Sequence, residues 1–123
     1  MKVLIVDDSR STREIIKKIL KAIGYEVLEA EDGEKALKIL YEGYNAPDLI
    51  LLDWNMPGMN GYEFLKRVRK DPKWQDIKII MVTTENQQDS IIKALKAGAD
   101  EYLMKPFDGD MLTTKIDMLM EEV

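Results

Sequence analysis

Short β-branched and aliphatic runs alternate along the chain with longer stretches whose apolar residues recur three and four positions apart. The runs Lys2 to Val6, Glu26 to Ala30, Leu49 to Leu52, Ile77 to Thr83 and Glu101 to Met104 read as strands. Between them, Ile15, Ile16, Ile19, Leu20 and Ile23 outline a helical face, followed by Ala36, Leu37 and Leu40, by Phe64, Leu65 and Val68, and by Ile91, Ile92 and Leu95. Leu112, Ile116 and Leu119 outline a fifth. This alternation predicts a (βα)5 unit of the α/β class, a doubly wound five-stranded parallel sheet covered by helices on both faces.

Helix boundaries follow from local chemistry. Ser11 with Glu14 three residues on fits a capping box, and Gly24, Gly43 and Gly98 each follow a periodic segment where a left-handed cap is wanted. Connections are short except at Asn55 to Gly61 and Asp71 to Asp76, each with one proline; Pro57-Gly58 and Asn60-Gly61 are turn signals.

At 123 residues the chain fits one domain, residues 1–123, around one core, with no room for a separate output domain. Hydrophobic residues make up 46% and charged residues 33%, which excludes a disordered or membrane chain. The apolar stretch at the amino terminus is too short for a signal peptide and runs straight into acids, so the chain reads as cytoplasmic. Cysteine and histidine are both absent, which removes disulfides, thiolate chemistry, imidazole catalysis and most zinc sites. Any chemistry must use oxygen and amine groups. A net charge of −5 disfavours nucleic acid as a partner.

In open α/β sheets, ligands bind beyond the carboxyl ends of the strands, where strand order reverses. Strand one ends in Asp7-Asp8, strand three in Asp53, strand four in Thr83-Thr84 and strand five in Lys105-Pro106. For the flavodoxin-like order 2-1-3-4-5, strands one and three flank that point, which brings Asp7, Asp8 and Asp53 into one crevice. Like charges that close repel by about 4 kcal/mol at 4 Å for an effective dielectric near 20. A cation is therefore expected, and magnesium fits carboxylate and carbonyl oxygens best. Lys105 offers a point charge to an anionic oxygen, and Thr83 a hydroxyl donor. These groups suit phosphoryl transfer to a carboxylate, with Asp53 as acceptor and Asp7 and Asp8 as a metal-holding pair.

Five stretches then carry a resemblance over essentially the whole chain: Val3-Leu4-Ile5-Val6-Asp7-Asp8-Ser9, Leu51-Leu52-Asp53-Trp54-Asn55-Met56-Pro57-Gly58-Met59-Asn60-Gly61, Thr83-Thr84-Glu85, Lys96-Ala97-Gly98-Ala99 and Tyr102-Leu103-Met104-Lys105-Pro106-Phe107. The sequence resembles the receiver domains of two-component response regulators, in particular the single-domain CheY-like chemotaxis group. The resemblance implies phosphorylation of Asp53 from a phosphohistidine on a separate histidine kinase. It implies that Asp8 holds Mg2+ directly, Asp7 through water, and Asn55 through its backbone carbonyl, alongside Asp53. Lys105 and Thr83 would hold phosphoryl oxygens, Tyr102 would change rotamer with Thr83, and the Lys105-Pro106 bond would be cis.

The implied product is a phosphorylation switch and not a turnover enzyme. It would be a monomer read through the surface of helix four, strand five and helix five, by a partner such as a flagellar motor switch protein and by a phosphatase. Asn55 and Glu85 would tune dephosphorylation. Thr84 stands where many relatives have a smaller residue, and its bulk bears on access to the crevice. Two other readings stay open on sequence: a phosphorylation-independent binding module or engineered scaffold on the same fold, and a phosphohydrolase working through an aspartyl phosphate. The second wants an acid where Asn55 stands. Lys17, Lys18, Lys21, Lys66, Arg67, Arg69 and Lys70 read as solvated helix faces, and Met104 as core.

Overall fold

The computed structural model describes residues 1–43, 46–84 and 88–121. Five strands and five helices alternate: β1 (Lys2–Val6), α1 (Arg10–Ala22), β2 (Glu26–Ala30), α2 (Gly33–Glu42), β3 (Leu49–Asp53), α3 (Gly61–Lys70), β4 (Lys78–Thr84), α4 (Gln88–Ala97), β5 (Glu101–Lys105) and α5 (Gly109–Met120). A short 3₁₀ turn, Pro72–Trp74, precedes β4. All strand pairs are parallel and the order is β2-β1-β3-β4-β5.

The apolar runs are buried on both sides, as a doubly covered parallel sheet requires. Leu4, Val6, Ile50, Leu52, Ile79 and Met81 face one core with Leu37, Leu40, Phe64, Leu65, Val68 and Ala94 of α2, α3 and α4. Val3, Ile5, Leu49, Leu51, Ile80, Val82 and Leu103 face the other, against Ile16 and Leu20 of α1 and Leu112 and Ile116 of α5. Because every strand pair is parallel, all the strands' carboxyl ends lie at the same edge, where the polar residues gather.

Four strand limits move by one residue, one of them the end of β4, which is Thr84 and not Thr83. β3 runs on to Asp53 and β5 to Lys105, while β4 starts at Lys78 because the Ile77 N–H bonds to the Trp74 carbonyl of the 3₁₀ turn. The cap of α1 is Ser9 and not Ser11: the Ser9 hydroxyl accepts from the Thr12 N–H, which starts the helix two residues earlier and puts Ser11 inside its first turn. Gly24, Gly43 and Gly98 do take positive φ just past α1, α2 and α4. After α1, the Gly24 N–H bonds to Lys21 and the Tyr25 N–H to Leu20, a Schellman closure that needs the left-handed turn at Gly24.

The helical stripes are narrower than periodicity predicts. Ile15 is 60% exposed and Ile23 44%, and on α4 Ile92 is 56% and Leu95 41% exposed, with only Ala94 buried there. Met104 is half-buried and not core, since β5 is an edge strand less fully covered than its neighbours; the core methionines are Met56 and Met81. Two predicted solvated cations are committed elsewhere. Lys17 pairs with Glu29 at 3.1 Å, and Arg69 binds the Gly98 and Trp74 carbonyls and the Asp100 carboxylate.

Candidate functional site

β1 delivers Asp7 to the carboxyl edge and β3, its neighbour in the sheet, delivers Asp53. Asp7 is 2% and Asp53 7% exposed, while Asp8, which follows at the rim, is exposed. The three carboxylates each bring an oxygen within 4.8 Å of the others. Lys105, at the end of β5, reaches across to them, its Nζ 3.4 Å from Asp7 Oδ2 and 3.6 Å from Asp53 Oδ1. The juxtaposition expected from strand order is therefore present.

Backbone contacts hold the acids in place. The Asp7 N–H donates to the Ala30 carbonyl at 3.1 Å, and Asp7 Oδ1 accepts from the Ser9 N–H at 2.8 Å. Arg13, from the first turns of α1, donates from Nη1 to the Asp7 carbonyl at 2.7 Å. Asp53 Oδ1 accepts a long hydrogen bond, 3.4 Å, from the Asn55 N–H. Gly61 opens α3 directly against the acceptor residue: its N–H bonds to the Trp54 carbonyl, and a Cβ there would lie 2.3 Å from the Asp53 carbonyl oxygen. Asn60 caps that helix by accepting from the Glu63 N–H, so the predicted Asn60-Gly61 turn is a helix start.

Burial pushes the Asp53 carboxyl up to about 6, and the charge of Asp7 pushes the same way; Lys105 and the Asn55 N–H pull down, and Asp8 adds a further upward push. One amine among three carboxylates leaves the crevice anionic at neutral pH. That deficit, with hard oxygen donors on converging elements, fits a small divalent cation such as Mg2+.

Thr83, 2% exposed, lies near the end of β4 with Thr84 beyond it, paired in register with Lys105. Tyr102 lies further back on β5, opposite Met81, half-buried against the α2–α3–α4 core, with Lys115 Nζ 4.9 Å from its ring centre. Thr83 continues the alternation of Ile79 and Met81, so it and Tyr102 share a sheet face. The Lys105-Pro106 bond is cis. Glu85 lies outside the described residues. Two contributors were not singled out from sequence: Arg13, whose only signal was its place one turn after Ser9, and Gly61, readable as a turn but not as a close approach to Asp53.

The sequence pattern of the family described as "Response regulator receiver domain" matches residues 3–117. The chain is a response regulator receiver domain. The receiver is 47% identical over 122 residues to "Chemotaxis protein CheY1" of Helicobacter pylori, covering 98% of this chain and 97% of that one. It is 43% identical to "Chemotaxis protein CheY" of Pseudomonas aeruginosa, covering 100% and 98%. Among solved structures, Chemotaxis response regulator CheY4 of Vibrio cholerae superposes with a TM-score of 0.89 at 37% identity, covering 97% of this receiver and 98% of that chain. The receiver is thus a response regulator of two-component signalling, a signalling switch by family. No helix among its described residues is long and apolar enough to cross a membrane.

Proposed function

We propose that this receiver is a chemotaxis-type switch that takes a phosphoryl group onto Asp53 from a histidine kinase in a Mg2+-dependent reaction. The observation that carries the reading is the crevice itself: three converging carboxylates with a single amine, Lys105, facing two of them. With its carboxyl near 6, Asp53 is mostly ionised at neutral pH and can act as a nucleophile.

Asp8, Asp53 and the Asn55 carbonyl would hold the ion, with Asp7 behind them. When bound, Mg2+ neutralises the carboxylates and the phosphoryl oxygens. An Asp53 oxygen attacks phosphorus in line; the bond from phosphorus to the donor imidazole nitrogen breaks, and the electron pair stays on that nitrogen, which takes a proton. These 123 residues contain no histidine, so the donor imidazole lies outside them, and this reading places it on a histidine kinase. Lys105 exchanges its contact with Asp53 for a phosphoryl oxygen, and Thr83 donates its hydroxyl to another. Water later cleaves the acyl phosphate, with Asn55 and Glu85 tuning the rate and Thr84 narrowing the entrance.

Movement of Thr83 toward the phosphate would give Tyr102 a new rotamer, biasing the α4–β5–α5 surface between two arrangements. That surface is ready for a reader: Ile92, Leu95, Met111 and Met118 are exposed on it, and a 370 Å³ hollow lies between Leu103, Met111, Lys115 and Met118. A flagellar motor switch protein is the partner this reading names. Incubation with acetyl phosphate, followed by intact mass, tests the chemistry: one phosphoryl group is gained with Mg2+, and none with chelator or in Asp53→Ala. No gain with Mg2+, or an equal gain in the variant, overturns it.

A further inference from the structure

Asp8 is the exposed member of the acid cluster, and its carboxylate accepts no hydrogen bond within the described residues. Its direction is set by its backbone, above all by the plane of the peptide that joins Asp7 to Asp8. The N–H of Asp7 is tied to Ala30 on β2, its side chain to the Ser9 N–H, and its carbonyl, which belongs to that joining peptide, to Arg13 Nη1 at 2.7 Å. This last contact is short and charge-assisted, the strong kind of hydrogen bond.

Arg13 is itself braced. Its Nε lies 3.3 Å from Glu29 on β2, which also takes Lys17 at 3.1 Å, and the Arg13 side chain is 13% exposed. Burial raises the Glu29 carboxyl, but Lys17 and Arg13 together bring it below its usual value, so Glu29 is a charged anchor at neutral pH. Its charge offsets that of the guanidinium, which can therefore sit close behind the acids without opposing a cation at the rim. Among the described residues no other side chain reaches the Asp7 carbonyl.

We infer that Arg13, braced by Glu29, is a positioning residue that fixes the Asp7–Asp8 peptide plane and so aims Asp8 at the divalent ion. The inference rests on the metal-dependent reading of the crevice. Partners of this kind, which orient a metal ligand without touching the metal, change affinity about 10–100-fold when removed. A planar fork is needed to hold Glu29 and the carbonyl together, and the point charge of a lysine cannot span both.

The test is Mg2+ titration followed by the fluorescence of Trp54, the residue next to Asp53. Arg13→Ala is expected to bind Mg2+ about tenfold more weakly and Arg13→Lys to fall between it and wild type. Lys17→Ala, which loses the same Glu29 contact without touching Asp7, stays within about twofold of wild type. In phosphorylation by acetyl phosphate, the Mg2+ concentration that gives half the maximal rate should rise about tenfold in Arg13→Ala and stay within about twofold of wild type in Lys17→Ala, a split that general loosening of the fold would not give. Affinity unchanged in Arg13→Ala, or lost equally in Lys17→Ala, overturns the inference. If Arg13→Ala does not fold, Arg13→Lys decides, and wild-type affinity there overturns it. A wild-type chain that ignores Mg2+ removes the proposed function and this inference together; a wild-type chain that binds, with Arg13 variants that bind equally, removes the inference alone.

Discussion

At neutral pH Asp53 carries a charge that its surroundings oppose, because burial and Asp7 outweigh Lys105. Its carboxyl sits near 6 in the fold against 3.8 in the open chain, so between those values the native state holds the extra proton. Native stability therefore falls as pH rises through that window and is flat above it. Without metal, Asp53→Asn should stabilise the protein by about 1–2 kcal/mol at pH 7.5, after allowance for screening at the crevice mouth, and by nothing below about pH 4. Urea unfolding at both pH values checks this; equal midpoints at pH 7.5 would contradict it. Gly61 is the opposite kind of residue, defined by what it lacks. Gly61→Ala places a methyl 2.3 Å from the Asp53 carbonyl oxygen, backbone that cannot step aside, and should cost about 3 kcal/mol in urea unfolding and slow phosphorylation. Asp7, Asp8, Asp53 and Lys105 were legible in the sequence because charged residues closing apolar strands have few other reasons to be there. Arg13 was not, since a single arginine on a helix reads as solvated until the strand beneath it is placed.

Elements were legible where hydrophobic period and length agreed. The continuous Leu49-Ile50-Leu51-Leu52 run, too short for a helix and set between two helical segments, reads as a doubly buried strand, and it is the central β3. Caps were less legible: Ser9 and Ser11 both offer a hydroxyl, and only the end of β1 decides which one meets a free N–H. Arg69 shows the same limit. It looks like one of four cations on α3, yet it donates to the Gly98 carbonyl at 2.9 Å and to Asp100 at 2.8 Å, and Asp100 in turn accepts from the Ile79 N–H at the start of β4. One guanidinium thus joins the end of α3 to the α4–β5 turn and β4. Arg69→Ala should lower stability by about 2–3 kcal/mol in urea unfolding, and Arg69→Lys should restore less than half, since the contacts need a fork. Lys70→Ala, one residue on and exposed, should change stability by less than about 0.5 kcal/mol.

For the molecule as a whole, the stripes on α1 and α4 are where periodicity overstated burial. Ile92 and Leu95 lie on the outside of α4, so their apolar character does not serve the core. Ile92→Ser with Leu95→Ser should shift urea stability by less than about 1 kcal/mol and leave phosphorylation unchanged. The same pair should weaken binding of a motor-switch peptide to the beryllofluoride-loaded chain about tenfold or more, measured by titration. Loss of stability in place of binding would return these residues to the core. The Arg69 lattice of contacts has one more consequence. It sits at the amino edge of the sheet, the far rim from Asp53, where it rivets α3, β4 and the start of β5 together. The sheet is thus cross-linked by a guanidinium at one rim and carries its converging carboxylates at the other, so the two rims can be altered by separate substitutions.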